Sequence, residues 1–243
     1  MKALFIRCYG KLTADMMIGG LIDMGVPPVY LKSKLKDAGL PDNFIEKPNP
    51  KAQISAHYFH IPPYGDKPLL LKQADLFRIW KDICSKGAPE WEETGWKVFS
   101  ALTAGVSHAI DEIPADVVDL RRAGVSEENL ISLYLFLACL DYLEVETLFT
   151  CPFTISKGKT EKGKSSAAIL TDAVSTVGKE VPAEDVDPFA AAMLEGLSAA
   201  FMPMDGRFLT DRTAYGSSSA EKPTGDNLSL IHISEPTRLR CIS

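Results

Sequence analysis

The spacing of apolar positions changes several times along the chain, and the first change predicts a strand that runs directly into a helix. Residues 4–6 form a short apolar run, and a Thr13-Ala14-Asp15 step then opens an apolar-periodic segment over residues 16–25. Thr13 is predicted to cap this helix, and Asp15 places a carboxylate in the first turn, where the helix dipole favours negative charge. Gly25 and the prolines after it predict the end of the helix.

The same reading predicts strands alternating with helices over the rest of the chain. Helical spacing recurs over residues 29–38, 75–85, 90–110, 127–143, 165–177 and 188–201, whereas residues 53–61, 145–155 and 208–215 have strand character and 41–50 read as a loop. Residues 127–143 are apolar on nearly every face, which predicts a buried helix. This alternation favours an α/β fold, a single sheet domain with packed helices, with a mixed α+β sheet as the alternative.

Composition narrows the functional class. The 243 residues are 46% hydrophobic and 24% charged, as in ordinary globular proteins, and the net charge of −6 argues against a nucleic-acid partner. The longest apolar stretch, residues 130–143, is shorter than the roughly 20 residues that a bilayer requires. The N-terminus lacks the pattern of a signal peptide, and five cysteines without paired spacing indicate neither a disulfide framework nor a zinc knuckle. We therefore expect a cytoplasmic protein without a membrane partner.

The last sixteen residues have a different character from the rest. Leu228 to Arg238 match the in-frame translation of a common transposon-based sequencing adapter. We therefore predict that residues 1–227 are the natural domain and that residues 228–243 are a non-native tail.

The N-terminal strand and helix resemble the signature of the LarC family, the nickel-insertion proteins that complete the nickel-pincer nucleotide cofactor. In that family an apolar strand ends in Asp-Cys-Phe, and a Gly-x-x-Gly-Asp-Met turn leads into a glycine-containing helix. Arg7, Lys11 and Ala14 depart from the pattern. The matching positions are Cys8, Tyr9, Asp15, Met16, Gly19 or Gly20, Leu21, Asp23 and Gly25.

The resemblance implies a CTP-dependent nickel chelatase, a lyase that inserts nickel into a bisthiocarboxylated pyridinium mononucleotide. The partner would then be a nucleotide-like cofactor precursor. By the same resemblance CTP is handled by a C-terminal domain that residues 1–227 do not include. We expect this polypeptide not to complete the reaction by itself.

Three family motifs are replaced in this chain. A His-x-His-Glu cluster, suited to a nickel-like ion, is met by Leu120-Arg121-Arg122-Ala123. A His-Gly element is met by Lys162-Gly163, and a Thr-Pro-Thr-Gly element by residues 187–190. These losses support an alternative from another class, a non-catalytic binding or scaffold paralogue that has lost the metal.

Three residues stand out as site candidates. Asp15 is the catalytic candidate, while Cys8, at a strand end, and His108, near a helix end, are the metal-ligand candidates. His57 and His60 are three apart in a predicted strand, so their side chains are expected on opposite faces, where they cannot chelate one ion together.

A third functional hypothesis comes from a separate motif. Residues from Gly158 to Ser165 fit G-x-x-x-x-G-K-[ST], with a strand candidate before and a helix after. The segment is rich in lysine rather than glycine. Leu209-Thr210-Asp211 only poorly matches the apolar strand ending in a magnesium-binding Asp that a P-loop protein requires. A solvated basic loop is the favoured interpretation, and a P-loop nucleotide site is the less favoured one.

Overall fold

The computed structural model describes residues 2–49, 56–63, 72–110, 118–153, 161–170, 185–202, 208–217 and 228–236. The helices are α1 (Ala14–Asp23), α2 (Pro28–Asp37), α3 (Gln73–Gly87), α4 (Glu92–Ala109), α5 (Glu128–Tyr142), α6 (Glu161–Ile169) and α7 (Pro188–Gly196). The strands are β1 (Lys2–Tyr9), β2 (Lys11–Leu12), β3 (Ile45–Asn49), β4 (Ala56–His60), β5 (Val145–Thr150), β6 (Asp185–Val186), β7 (Ala200–Phe201), β8 (Phe208–Ser217) and β9 (Leu228–Pro236). Short 3₁₀ helices cover Pro89–Trp91 and Leu120–Ala123.

The described strands form one mixed sheet with helices packed around it, which confirms the predicted α/β class. The main order is β3-β4-β8-β9-β1-β2-β6, with β5 beside β1 and β7 beside β5. β1 is parallel to β5 and antiparallel to β9, and β4 is parallel to β8 but antiparallel to β3. The N-terminal strand is therefore paired on both sides.

Helix α1 lies unusually close to the sheet. A Cβ atom on Gly19 would lie 2.6 Å from the carbonyl oxygen of His57 on β4, and one on Gly20 would lie 2.6 Å from Cδ1 of Ile231 on β9. From the opposite side, a Cβ atom on Gly216 of β8 would overlap the carbonyl oxygen of Met16. Glycine at these positions lets helix and sheet backbones approach to a distance that no side chain would permit.

Helix α5 supplies the centre of the core, as its sequence predicts. Residues 130–139 are all buried. Within this apolar surface, the Tyr134 hydroxyl has no hydrogen-bond partner among the described residues. Burial raises the pKa of Tyr134 to about 12, so the phenol stays protonated.

Local signals at the first two helices are confirmed. Thr13 caps α1, its side-chain oxygen accepting the backbone N–H of Met16 at 3.2 Å. Gly25 follows the helix with φ of 117°, a backbone conformation that favours glycine. Helix α2 agrees with its predicted segment to within one residue.

Other elements differ from the sequence-based expectation. The predicted loop contains β3, which pairs with β4 despite Pro48, because an edge strand tolerates a missing N–H donor. Helix α6 starts at Glu161, four residues earlier than predicted, and residues 171–177 of that prediction lie outside the described residues. Helix α7 ends at Gly196, and Ala200–Phe201 pairs with β5 instead of extending the helix.

Residues 228–236 form a strand inside the sheet. β9 pairs antiparallel with both β1 and β8, and Ile231 is fully buried beneath α1. The alternating, β-branched sequence Leu-Ser-Leu-Ile-His-Ile suits such a slot. The non-native origin of this segment stays a prediction.

Among the residues that the structure describes, no helix is both long and apolar enough to cross a membrane.

Replacing Tyr134 with Phe is expected to raise the free energy of unfolding by about 1 kcal/mol, because it removes a buried hydroxyl without breaking a hydrogen bond. Urea denaturation measures the change. Tyr30→Phe is the matched control, since the Tyr30 hydroxyl lies 3.4 Å from Asp141 Oδ2, and it should give no gain. A loss of stability in Tyr134→Phe would contradict the assignment.

Replacing Gly216 with Ala is expected to lower the free energy of unfolding by about 1–3 kcal/mol, because α1 must move away from β8. Thr210→Ala, at an exposed position of the same strand, should change it by less than about 0.5 kcal/mol. Equal effects of the two substitutions in thermal and urea denaturation would show that the close approach carries no energetic weight.

Candidate functional site

A cavity of about 280 Å³ lies where three helix N-termini meet the end of β4. Its walls come from the first turn of α1, the segment after β4, the segment leading into α5, and the residue that caps α7. The lining residues are Thr13, Ala14, Asp15, His60, Ile61, Pro63, Gly124, Ser126, Glu128, Asn129, Ser132 and Asp187.

Asp15, the predicted catalytic residue, is the centre of a hydrogen-bond network in this cavity. Nδ1 of His60 lies 3.2 Å from Asp15 Oδ2, and the Ser132 hydroxyl donates to Asp15 Oδ1 at 3.2 Å. Burial raises the pKa of Asp15, and hydrogen bonds from His60, Ser132 and the Ile61 backbone oppose the rise only in part. Asp15 is therefore a carboxylate that retains a proton to higher pH than an ordinary aspartate does.

The packing of α1 against its neighbours positions this network. Asp15 follows the Thr13 cap directly, so its location depends on where α1 begins. Ser132 is 2% exposed on α5, and its hydroxyl also lies 3.2 Å from the Glu128 carbonyl oxygen. Contacts across 45 and 117 residues of sequence therefore hold one carboxylate from both sides.

The electrostatics of the cavity follow from the helix ends. Asp187 caps α7 by accepting the Phe189 N–H at 3.0 Å, and Glu128 lies in the first turn of α5. Backbone N–H groups at helix N-termini stabilise nearby carboxylates, and three acidic residues accordingly line this space with Asp15 among them. Among the described residues of this lining there is no lysine or arginine. The described acidic side chains favour a cationic group in the cavity.

His60 is a site residue that the sequence analysis did not select. It is the last residue of β4, with 43% of its side chain exposed. His57, on the same strand, instead pairs with Glu46 of β3 at 2.6 Å and is 13% exposed. The two histidines thus contact different carboxylates. The one signal available in the sequence was the place of His60 at a strand end, where functional side chains often collect.

The metal-ligand candidates from the sequence lie elsewhere. Cys8 is 4% exposed within β1 and does not line the cavity. His108 lines a separate groove of about 410 Å³, formed by α4, α6 and α7, together with Glu195. Within the described ranges, no group of three or more His, Cys, Asp or Glu side chains could hold a metal ion. The roles of Cys8 and His108 stay predictions.

The segment that replaces His-x-His-Glu borders the cavity. Leu120–Ala123 forms a 3₁₀ helix whose Leu120 and Ala123 are buried, and Gly124 after it lines the cavity. Arg121 pairs with Asp119 at 2.8 Å, and this hydrogen bond lowers the pKa of Asp119. The resemblance implies metal ligands at these four positions, but apolar and arginine side chains occupy them in this chain.

The P-loop hypothesis gains little from the described part of its motif. Glu161 to Ser165 form the first turns of α6, and residues 158–160 lie outside the described residues. Ser165 is fully buried, which disfavours a hydroxyl that binds a nucleotide-associated magnesium ion.

Similarity to curated proteins extends over nearly the whole chain. A candidate nickel insertion protein of Synechococcus sp. (strain JA-3-3Ab) is 26% identical, over 92% of this chain and 58% of the relative. A second one, from Geotalea daltonii, is 23% identical over 97% of this chain and 61% of its own length. The pyridinium-3,5-bisthiocarboxylic acid mononucleotide nickel insertion protein of Geobacillus kaustophilus is 20% identical, over 98% and 61%.

The chain therefore spans about three fifths of the length of these curated relatives. No solved structure matches it. A family model described as "Nickel insertion protein" matches residues 4–239, which is nearly the whole chain. The recognition made from the N-terminal motif is confirmed, and the chain belongs to the nickel insertion protein family.

Proposed function

We propose that the cavity at the start of α1 binds a bisthiocarboxylated pyridinium mononucleotide and that this chain contributes the nickel-handling part of its metallation. The observation that carries the proposal is the Asp15–His60–Ser132 network, which presents a carboxylate and an imidazole in one cavity. The Geobacillus relative, by its name, inserts nickel into this nucleotide. The CTP-dependent step that the resemblance implies is proposed to require protein beyond this chain.

The chemistry of substrate and site is compatible. Nickel is the cargo of the reaction, and imidazole nitrogen and thiocarboxylate sulfur are both donors that accept such an ion. A cavity whose lining carries three acidic side chains attracts a divalent cation, and each carboxylate lowers the electrostatic energy of the incoming charge. In this proposal Asp15 positions His60 and compensates the charge of the metal.

A thiocarboxylate substrate implies a reducing environment, and cysteine thiols also stay unoxidised in such an environment. Among the described residues, Cys8, Cys84, Cys139 and Cys151 form no disulfide. We propose the cytoplasm as the location, since cysteines outside disulfides are usual there.

A second candidate function is a binding or scaffold protein that retains the fold without the chemistry. Two observations favour it: the residues Leu120–Ala123 beside the cavity, and the lack of a three-ligand group among the described side chains. Nickel titration by calorimetry separates the candidates, since a tight, stoichiometric site would contradict the scaffold hypothesis. Cys8→Ser and His108→Ala in the same titration test the two candidates from the sequence.

Binding of the nucleotide is tested by calorimetry with the bisthiocarboxylated pyridinium mononucleotide itself. Ser126→Trp fills the cavity and should weaken binding at least about tenfold, which corresponds to about 1.4 kcal/mol. Val29→Trp, at a position of α2 that is 78% exposed and does not line the cavity, is the matched control and should bind like the unchanged chain. Absence of binding, or equal binding by all three proteins, would contradict the proposal.

The raised pKa of Asp15 predicts how Asp15→Asn changes stability with pH. Because the folded-state pKa lies above the ordinary aspartate value of 3.8, the stability associated with the protonated form is present below that value and is lost as the pH rises through the folded-state pKa. Asparagine avoids that loss. The stability of Asp15→Asn relative to the unchanged chain should therefore increase from acidic to neutral pH, as measured by urea denaturation over a pH series.

Glu93→Gln is the control for this series. The hydrogen bond from Lys97 lowers the pKa of Glu93, so its contribution to stability is lost as the pH falls, and the substitution should change relative stability with the opposite sign. The same sign in both variants would contradict the buried state of Asp15.

A further inference from the structure

The orientation of His60 leaves one defined nitrogen for a ligand. Asp15 Oδ2 lies 3.2 Å from Nδ1, so an ionised Asp15 accepts a hydrogen bond from Nδ1–H. In a neutral ring the lone pair is then on Nε2. Nε2 makes no hydrogen bond to a described residue. A carboxylate that orients an imidazole in this way is the usual support of a metal-binding histidine.

Asp15 is held in the supporting role. Its second oxygen, Oδ1, accepts the hydroxyl of Ser132, a side chain that is buried on α5. The backbone N–H of Ile61 also donates to this carboxylate. With both oxygens engaged, Asp15 orients the ring, and His60 is the member of the pair that can offer an atom to a metal.

His57 shows what distinguishes His60. Both histidines are on β4, and both pair with a carboxylate. His57 uses Nε2 for its bond with Glu46 and is 13% exposed, whereas His60 is 43% exposed and lines the cavity. The ring of His57 is therefore largely buried with its Nε2 occupied by Glu46, whereas the ring of His60 is accessible from the cavity.

From this geometry we infer that Nε2 of His60, oriented by Asp15, is the protein atom that binds divalent nickel in the cavity and hands it to the nucleotide. The inference rests on the proposed function. A single imidazole leaves most coordination positions of nickel open for the sulfur donors of the nucleotide. Transfer is then a ligand exchange, in which the Nε2–nickel bond breaks, a nickel–sulfur bond to a thiocarboxylate forms, and nickel stays divalent.

The experiment follows the ring signals of His57, His60, His108 and His232, which are all the histidines of the chain, by ¹⁵N-resolved NMR during titration with nickel chloride. Paramagnetic nickel should broaden the His60 ring signals first. His60→Gln should lower nickel affinity at least about tenfold, and Asp15→Asn should lower it by about 10–100-fold through loss of orientation. The matched control His57→Gln should bind nickel like the unchanged chain.

Several results would overturn the inference. These are a His60→Gln variant with unchanged nickel affinity, broadening that starts at His108 or His57, or an unchanged chain that does not bind nickel. If His60→Gln fails to fold, the broadening in the unchanged chain decides alone.

Failure of the proposed function is recognised separately, through the nucleotide titration. The control His57→Gln, whose side chain pairs with Glu46 and does not line the cavity, is expected to retain both nucleotide and nickel binding. A chain that binds nickel at His60 but never binds the nucleotide would support the metal site and reject the substrate.

Discussion

The contact between α1 and the sheet is the constraint on which the site depends. Gly19, Gly20 and Gly216 remove the side chains that would separate helix and sheet backbones, so α1 lies directly on β4, β8 and β9. Its first turn then reaches the end of β4, where His60 is located. A helix displaced by the thickness of one methyl group would lengthen the 3.2 Å contact between Asp15 and His60 beyond a hydrogen bond.

Helix ends make the cavity polar without making it basic. The N-termini of α1, α5 and α7 converge there, and each brings an acidic residue into its first turn or cap position. The cost of burying the charge of Asp15 exceeds what its hydrogen bonds recover, as its raised pKa shows. That imbalance is typical of sites whose purpose is to meet a cation, because a bound cation restores the missing stabilisation.

The family match covers nearly the whole chain, but the residues at the positions that the resemblance assigns to metal ligands differ from the family pattern. The match extends over residues 4–239, yet the positions that the resemblance associates with His-x-His-Glu hold Leu120, Arg121, Arg122 and Ala123. The cavity beside them contains Asp15 and His60. Under the proposal made above, nickel binding depends on one oriented imidazole and on donors of the substrate, which suits the temporary holding of a metal better than its permanent storage.

Periodicity in the sequence determined the elements whose local signals are strong. The helices α1, α2, α4 and α5 follow from apolar spacing, the Thr13 cap and Gly25, because those features act within a few residues of one another. The place of Asp15 in the first turn of α1 was predicted the same way, and its catalytic role stays a prediction. Local patterns did not predict edge strand β3 or the sheet position of β9, because pairing between strands depends on partners far along the chain. The pairing of His60 with Asp15 and Ser132 was likewise decided only by the tertiary structure, because sheet order and helix packing bring together residues separated by 45 and 117 positions, and no local pattern encodes that proximity.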